Sequence, residues 1–229
     1  MTLSKDQSGN IQHPVSPFFE LRIGYILKTI RVDVDPKYED EFLLWYNEEH
    51  EPLLWKIPGV LGMWKAKRLG EGEQRYFYLY AHQNLDVQKG EIYKQASLTD
   101  WAKKIYPFLK NFDTRNYEVI VPGPARTGLK KGNIIRTVEV NVTSEYEQEF
   151  KDWFKKEHIP LLSNILGVFT TWQAINLGER GPKYLTVHFH ENTVIQEGQD
   201  YKRAWKTESL EKLRPYLRDL VSTNYEILI

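Results

Sequence analysis

The sequence contains no cysteine. Disulfides, thiolate metal sites and a cysteine nucleophile are therefore excluded. Nor is there an excess of charge of either sign, since 31 Lys and Arg residues balance 31 Asp and Glu residues. A chain without a basic surplus has no global attraction to nucleic acid or to an anionic membrane, and neither is expected as a partner. No apolar run approaches the length of a membrane-spanning helix. The first ten residues lack the apolar stretch of a secretory signal, so the expected location is cytoplasmic. Residues 1–24 contain Pro14 and Pro17 and show no periodicity. They read as an N-terminal arm in which Phe18, Phe19 and Leu21 are the groups able to dock on the body.

What the chain does have is aromatic side chains. They make up 14% of its residues, with seven Trp and fourteen Tyr. That excess suits a thick core and equally a pocket walled with flat rings. It also has an internal repeat. Shifting residues 26–121 by 108 positions onto 134–229 leaves 37 of the 96 aligned pairs identical without a gap. Trp45, Glu49-His50 and Pro52-Leu53-Leu54 return as Trp153, Glu157-His158 and Pro160-Leu161-Leu162. Gly59-Val60, Trp64 and Asn116-Tyr117-Glu118 return as Gly167-Val168, Trp172 and Asn224-Tyr225-Glu226. The intervening stretch 122–133 is rich in turn formers and charge and reads as a linker.

Each repeat has one order of elements. Residues 26–34 alternate β-branched with polar residues and predict a strand. Asp35-Pro36 opens a helix with Tyr38, Phe42, Trp45 and Leu53 at helical spacing, and Glu51-Pro52 should end or kink it. Strands follow at 60–68 and 75–82, a helix at 87–111 divided near Pro107, and a last strand at 116–121. The order β-α-β-β-α-β is the split unit of ferredoxin-like folds. Such a unit leaves one sheet face uncovered, and the second copy is its natural cover. The predicted class is therefore α+β. Two ferredoxin-like repeats, 25–121 and 134–229, close an intrachain pseudo-dimeric α+β barrel with the helices outside. Two fused repeats already make the minimal barrel, which leaves room for, but does not require, a homo-oligomer.

Alternation divides each strand between two faces. Phe77, Leu79 and Ala81, with Leu185, Val187 and Phe189, are expected against the helices. Tyr76, Tyr78, Tyr80 and His82, with Tyr184, Thr186, His188 and His190, are expected inside the barrel as pocket walls. In the first strand Ile30, Val32 and Val34 should face the helices, and Thr29, Arg31 and Asp33 should face inward, opposite Thr137, Glu139 and Asn141. Trp64 and Trp172 share a parity that points them at the lumen. A bulge would invert any of these assignments.

The most specific signal is Phe42-Leu-Leu-Trp45-Tyr46-Asn-Glu-Glu49-His50-Glu-Pro52, followed by Pro58-Gly59-Val60. It resembles the EthD-like family of the dimeric α+β barrel superfamily, whose members carry F-x-x-W-Y-x-x-E-H-x-P and then a P-G-V turn. The second copy keeps the core of the pattern but has Phe154 in place of Tyr46 and Leu166 in place of Pro58. The resemblance supports the fold better than any one chemistry, because the superfamily includes muconolactone-type isomerases, polyketide cyclases, small monooxygenases, haem-degrading enzymes and chlorite dismutase-like enzymes. In isomerase-like relatives the His of this motif is an acid–base group, which makes His50 and His158 candidates for that role.

Imidazole titrates near neutrality and both takes and gives a proton at working pH. The structural alternative is a His that interacts with the last carbonyls of its helix. The expected function is a cofactor-independent isomerase, cyclase or lyase acting on a small aromatic, lactone or polyketide-like compound. His50, His158 and His190 are its catalytic candidates. Arg31, Trp64, Tyr78, Tyr80, His82, Glu139, Trp172 and His188 are its substrate-binding candidates. His188-x-His190 with Glu139 or Glu226 would be the place for a divalent ion, but the expectation is no metal and no cofactor. The alternatives are a non-catalytic or stress-associated binding protein and a metal- or haem-dependent oxidoreductase.

Overall fold

The computed structural model describes residues 4–5, 11–12 and 21–228. Ser4–Lys5 and Ile11–Gln12 pair as a short antiparallel ladder. Phe18 and Phe19 lie outside the described residues. Leu21 is buried in the central apolar cluster.

Eight strands form the body: β1 (Ile26–Val34), β2 (Val60–Arg68), β3 (Tyr76–His82), β4 (Leu109–Pro122), β5 (Ile134–Val142), β6 (Val168–Asn176), β7 (Tyr184–His190) and β8 (Leu217–Ile227). Hydrogen bonding runs β8-β2-β3-β1-β4-β6-β7-β5 and returns to β8, so the sheet closes. Every pairing is antiparallel. The first half contributes β2-β3-β1-β4 and the second β6-β7-β5-β8, the same ferredoxin-like order twice. The seams are β4 on β6 and β8 on β2. Closure satisfies the sheet edges that each half would otherwise expose. Gly123, just past β4, sits where a Cβ would come within 2.4 Å of the Thr171 carbonyl oxygen. Only glycine lets the connecting segment pass this close to the barrel.

The helices lie outside this barrel. Asp35 caps the first turn by accepting from the Lys37 N–H, and α1 (Glu39–Trp45) carries three carboxylates at its positive end. The chain then winds through a π turn, Tyr46–His50, into α2 (Glu51–Trp55). Of the two effects expected of Glu51-Pro52, ending or kinking the helix, the first does not occur. The Glu51 N–H reaches back five residues to the Tyr46 carbonyl, and this wider turn accommodates a proline that cannot donate. Repeat two has the same device, with α5 (Glu147–Trp153), a π turn at Phe154–His158 and α6 (Ile159–Ser163). The helix expected at 87–111 is two short ones, α3 (Glu91–Ala96) and α4 (Asp100–Ile105), because Thr99 caps a new start by accepting from the Ala102 N–H. Their counterparts are α7 (Gln199–Ala204) and α8 (Glu208–Leu213). β4 consequently begins at Leu109, seven residues earlier than expected.

The expected facing of β3 and β7 is reversed. Residues directly opposite each other on antiparallel strands share a face. Ile30 lies opposite Tyr78, and Arg31 lies opposite Phe77. Ile30 does face the helices, so Tyr76, Tyr78 and Tyr80 face them too and pack with Phe42, Trp45 and Tyr46. Phe77, Leu79 and Ala81 instead meet Leu185, Val187 and Phe189 in the lumen. The lumen is a packed core and not the pocket expected there, because eight strands leave an interior that side chains just fill. Trp64 and Trp172 point into it as read, with ring centroids 5.6 Å apart, and both lean on Phe189.

Arg31 and Glu139 also face inward, as an ion pair of 2.9 Å toward one end of the lumen. Arg115 reaches the same carboxylate at 2.7 Å, Tyr117 donates to it at 3.0 Å, and Asp113 lies 3.6 Å from Arg31. Arg31 is only 4% exposed, so its charge depends on these partners. Glu139→Gln is expected to lower stability by about 2–3 kcal/mol, seen as a reduced urea midpoint with an unchanged slope. An unchanged midpoint would show that Asp113 alone compensates Arg31.

Candidate functional site: an aromatic cavity between helix and sheet

The widened turn places Trp45, Tyr46 and His50 on the buried side of their helix, over the outer face of the first-half sheet. Between helix and sheet is a cavity of about 440 Å³. Its roof is Phe42, Trp45, Tyr46 and His50; its floor is Lys28, Ile30, Tyr78 and Tyr80; Tyr93, Ser97 and Tyr106 close the side of α3 and α4.

The His50 ring is fixed on two sides. It stacks on Trp45 with centroids 4.7 Å apart, and Nδ1 lies 3.1 Å from the Ala96 carbonyl oxygen. A carbonyl only accepts, so Nδ1 carries the proton and Nε2 keeps its lone pair. Burial holds the imidazole pKa down at about 4, with the Lys28 charge acting in the same direction and the Ala96 carbonyl and Glu49 opposing. The ring is therefore neutral at pH 7. Glu49 does not touch it. Its carboxylate accepts from Trp45 Nε1 at 3.1 Å and from the Thr99 hydroxyl, which ties the roof to α4.

The floor supplies hydroxyls and one cation. Tyr46 and Tyr80 share a hydrogen bond of 3.1 Å. The Tyr78 hydroxyl is buried with no hydrogen-bond partner among the described residues. Burial raises all three phenols well above their ordinary pKa, so they stay protonated and can donate. The Lys28 amine sits 5.0 Å from the centre of the Tyr93 ring, and burial lowers its pKa to about 8.

The second half repeats this frame and fills it. His158 Nδ1 donates to the Ala204 carbonyl at 3.0 Å, and the ring packs on Trp153 at 4.6 Å. But Ser97 is replaced by Trp205. That indole lies 4.5 Å from His158, 5.9 Å from His188 and 6.3 Å from Trp153. These three residues are the counterparts of His50, Tyr80 and Trp45, so the second indole stands where the first half has its cavity. His158 is fully buried. His188 shares a 3.1 Å hydrogen bond with Thr171, and His190 Nδ1 accepts from Gln196 at 3.4 Å.

The structure thus divides the residues singled out by sequence into three groups and leaves His82 apart. His50, Tyr78 and Tyr80 line the cavity. His158 and His188 flank Trp205 in the other half, with His190 beside His188 and Tyr201, and no cluster of metal-ligating side chains occurs among the described residues. Arg31, Glu139, Trp64 and Trp172 are in the lumen, on the far side of the sheet. His82 lies behind Tyr93, accepting from Gln88 at 3.1 Å. Lys28, Tyr93 and Ser97 were missed. The available signal was the mismatch of Ser97 with Trp205 inside an otherwise matched pair of repeats.

Fold and cavity together define a dimeric α+β barrel whose two halves belong to one chain. No protein-family model matches the sequence, and no curated protein does. Solved structures do. The chain superposes on a "putative monooxygenase" from Fusobacterium nucleatum subsp. nucleatum with a TM-score of 0.69 at 12% identity, over 91% of this chain and 94% of that one. A chlorite dismutase mutant from Candidatus Nitrospira defluvii gives 0.65 at 12% identity, over 91% and 93%. An anthrone oxidase-like protein gives 0.54 at 12% identity, over 90% and 91%. At such identities the likeness is one of fold. Among the described residues no helix is long and apolar enough to cross a membrane.

Proposed function

We propose that the first-half cavity is the active site of a small-molecule enzyme whose first step is proton abstraction by His50, in a member of the EthD-like family. The observation that carries this reading is the fixed tautomer. Nδ1 is held by Ala96, which leaves a neutral Nε2 lone pair on an imidazole that lines an aromatic cavity. A flat aromatic, lactone or polyketide-like compound would lie among Trp45, Tyr46 and Tyr80. Nε2 takes a proton from an acidic carbon, and the electron pair moves onto the adjacent carbonyl to give an enolate oxygen. The unpartnered Tyr78 hydroxyl and the Lys28 charge are the groups available to that oxygen. Return of the proton to a different carbon completes an isomerisation. Attack of the carbanion on a second carbonyl in the same molecule closes a ring instead.

The names of the fold neighbours favour a second reading with the same first step. A carbanion formed from an anthrone-like methylene combines with dioxygen and is oxidised as the O–O unit is reduced to a hydroperoxide. Loss of water then leaves a carbonyl. A haem-dependent reading would use the same Nε2 as the iron ligand.

The test is to incubate the protein in D₂O with a panel of anthrones, phenolic ketones and unsaturated lactones, and to follow proton loss by NMR and dioxygen uptake. His50→Phe keeps the stacked ring but has no base, and it is expected to slow exchange or turnover at least about 100-fold, while His158→Phe leaves it unchanged. Undiminished turnover in His50→Phe would remove His50 from the reaction. Ligands bound but never exchanged would make the cavity a binding site only. A Soret band in the protein as purified would favour haem.

A further inference from the structure

The Lys28 amine is mostly buried, yet among the described residues it has no carboxylate partner and no hydrogen bond from a side chain. Its one described side-chain contact is with the face of Tyr93, and its charge acts on His50 and His82 only as repulsion. The matching cation of the second half has side-chain hydrogen bonds, although its Nε is without a partner among the described residues. Arg136 donates to Gln196 and, at 3.3 Å, to the Ser222 hydroxyl. A cation withdrawn from water without a counter-charge is costly, and the cost falls when an anion is supplied.

Lys28 also occupies a junction. The aromatic cavity meets a second, polar basin of about 340 Å³ at Lys28 and Thr114. That basin is completed by the other half, through the turn between β6 and β7 that carries Glu179 and Arg180. The turn is held down rather than loose. Asn176 donates to the carbonyls of Arg180 and Pro182, and the Leu177 N–H donates to the Asn116 carbonyl across the seam. Arg115, also in the basin, is already committed to Asp113 and Glu139. Of the basin's cations, Lys28 and the exposed Arg180 are the two without a carboxylate partner among the described residues. Glu179 on the rim disfavours a multiply charged ligand, so the fit is to one negative group at the junction.

We infer that the compound taken by the first-half cavity is an aromatic carboxylate, its ring system among Trp45, Tyr46 and Tyr80 and its carboxylate on Lys28 at the mouth of the basin. This rests on the cavity being the functional site. It does not require His50 to be the base.

The test compares 2-naphthoate with its neutral methyl ester by calorimetric titration of the full chain at pH 7. The wild-type protein is expected to bind the acid at least about tenfold tighter than the ester. Lys28→Met should weaken the acid at least tenfold and leave the ester within a factor of two or three. Lys28→Arg should restore the preference, and Arg180→Gln should cost the acid only a few-fold, in a salt-sensitive way. Thermal unfolding of each variant checks that the fold survives. Equal affinity for acid and ester, a preference that persists in Lys28→Met, or binding of neither would each overturn the inference. His50→Phe separates this from the proton-transfer proposal. It should still select the acid, and turnover confined to neutral compounds would defeat only the carboxylate assignment.

Discussion

Acidification from pH 6.5 to about 4.5 is expected to unfold this protein cooperatively. Five of its six histidines are buried in the described residues, and each is held neutral. Burial is the largest cause in every case. It sets His50, His82 and His158 at about 4, His190 at about 3, and His188 well below its ordinary value. Lys28 adds repulsion at His50 and His82, and Arg136 does so at His188 and His190. The carbonyls of Ala96 and Ala204, and Glu49, work the other way at His50 and His158. The folded-state pKa values thus lie below the unfolded value, so between the two the unfolded chain binds more protons. Stability is complete above about pH 6.5 and falls as the pH drops toward the folded values. Each such group contributes up to about 1.4 kcal/mol per pH unit, so five together remove on the order of 10 kcal/mol within about two units, comparable with the total stability of a typical domain. Urea midpoints followed by circular dichroism from pH 8 to 4.5 measure this directly. A midpoint flat across that range would show that the imidazoles titrate in place. His190→Gln should reduce the slope by about one proton.

Replacing Trp205 with Ser is expected to cost about 3 kcal/mol, the low end of the range for removing a large aromatic side chain, because the ring is only partly buried. The change opens a second cavity beside His158, Trp153 and His188. Naphthalene or indole in millimolar amounts should then raise the thermal midpoint of Trp205→Ser more than that of the wild type, since a ligand bound only by the folded state stabilises it. The reciprocal change, Ser97→Trp, places an indole between His50, Tyr80 and Trp45 and is expected to abolish ligand binding in the first half. Retained binding in Ser97→Trp, together with no ligand rescue of Trp205→Ser, would show that the indole is not what closes the second cavity.

Both halves, their element order and the closed barrel were legible because the offset of 108 preserves the residues that punctuate each unit: the Gly59/Gly167 turns, the Pro52/Pro160 helix positions and the Tyr117/Tyr225 strand residues. The helix motif also located His50. The side of the sheet that holds the cavity was not legible. Every residue of β3 is buried, on both faces, so alternation separates Tyr76, Tyr78 and Tyr80 from Phe77 and Leu79 without saying which set meets the helices. The choice is made by register, Ile30 against Tyr78, and register belongs to two strands at once. Polarity misled as well. A row of tyrosines looks like the wall of an internal chamber, but here Tyr76 donates to Glu39 and Tyr80 bonds Tyr46, both on the helix side, while the Tyr78 hydroxyl has no partner among the described residues. Lys28 escaped notice because nothing in its neighbourhood in the chain signals a cation with no counter-charge. Its isolation arises from residues supplied by α3 and by the other half.

The indole at position 205 has one more consequence. In an assembly of two identical chains, a residue that blocks one recess blocks both, so such a change removes the activity along with the vacancy. Here positions 97 and 205 are encoded separately. The second recess can be sealed, and its ring can brace the barrel, while the first stays open. Joining the halves therefore gives this chain a freedom that a symmetric pair lacks: a filled half and an open half can be altered independently of each other.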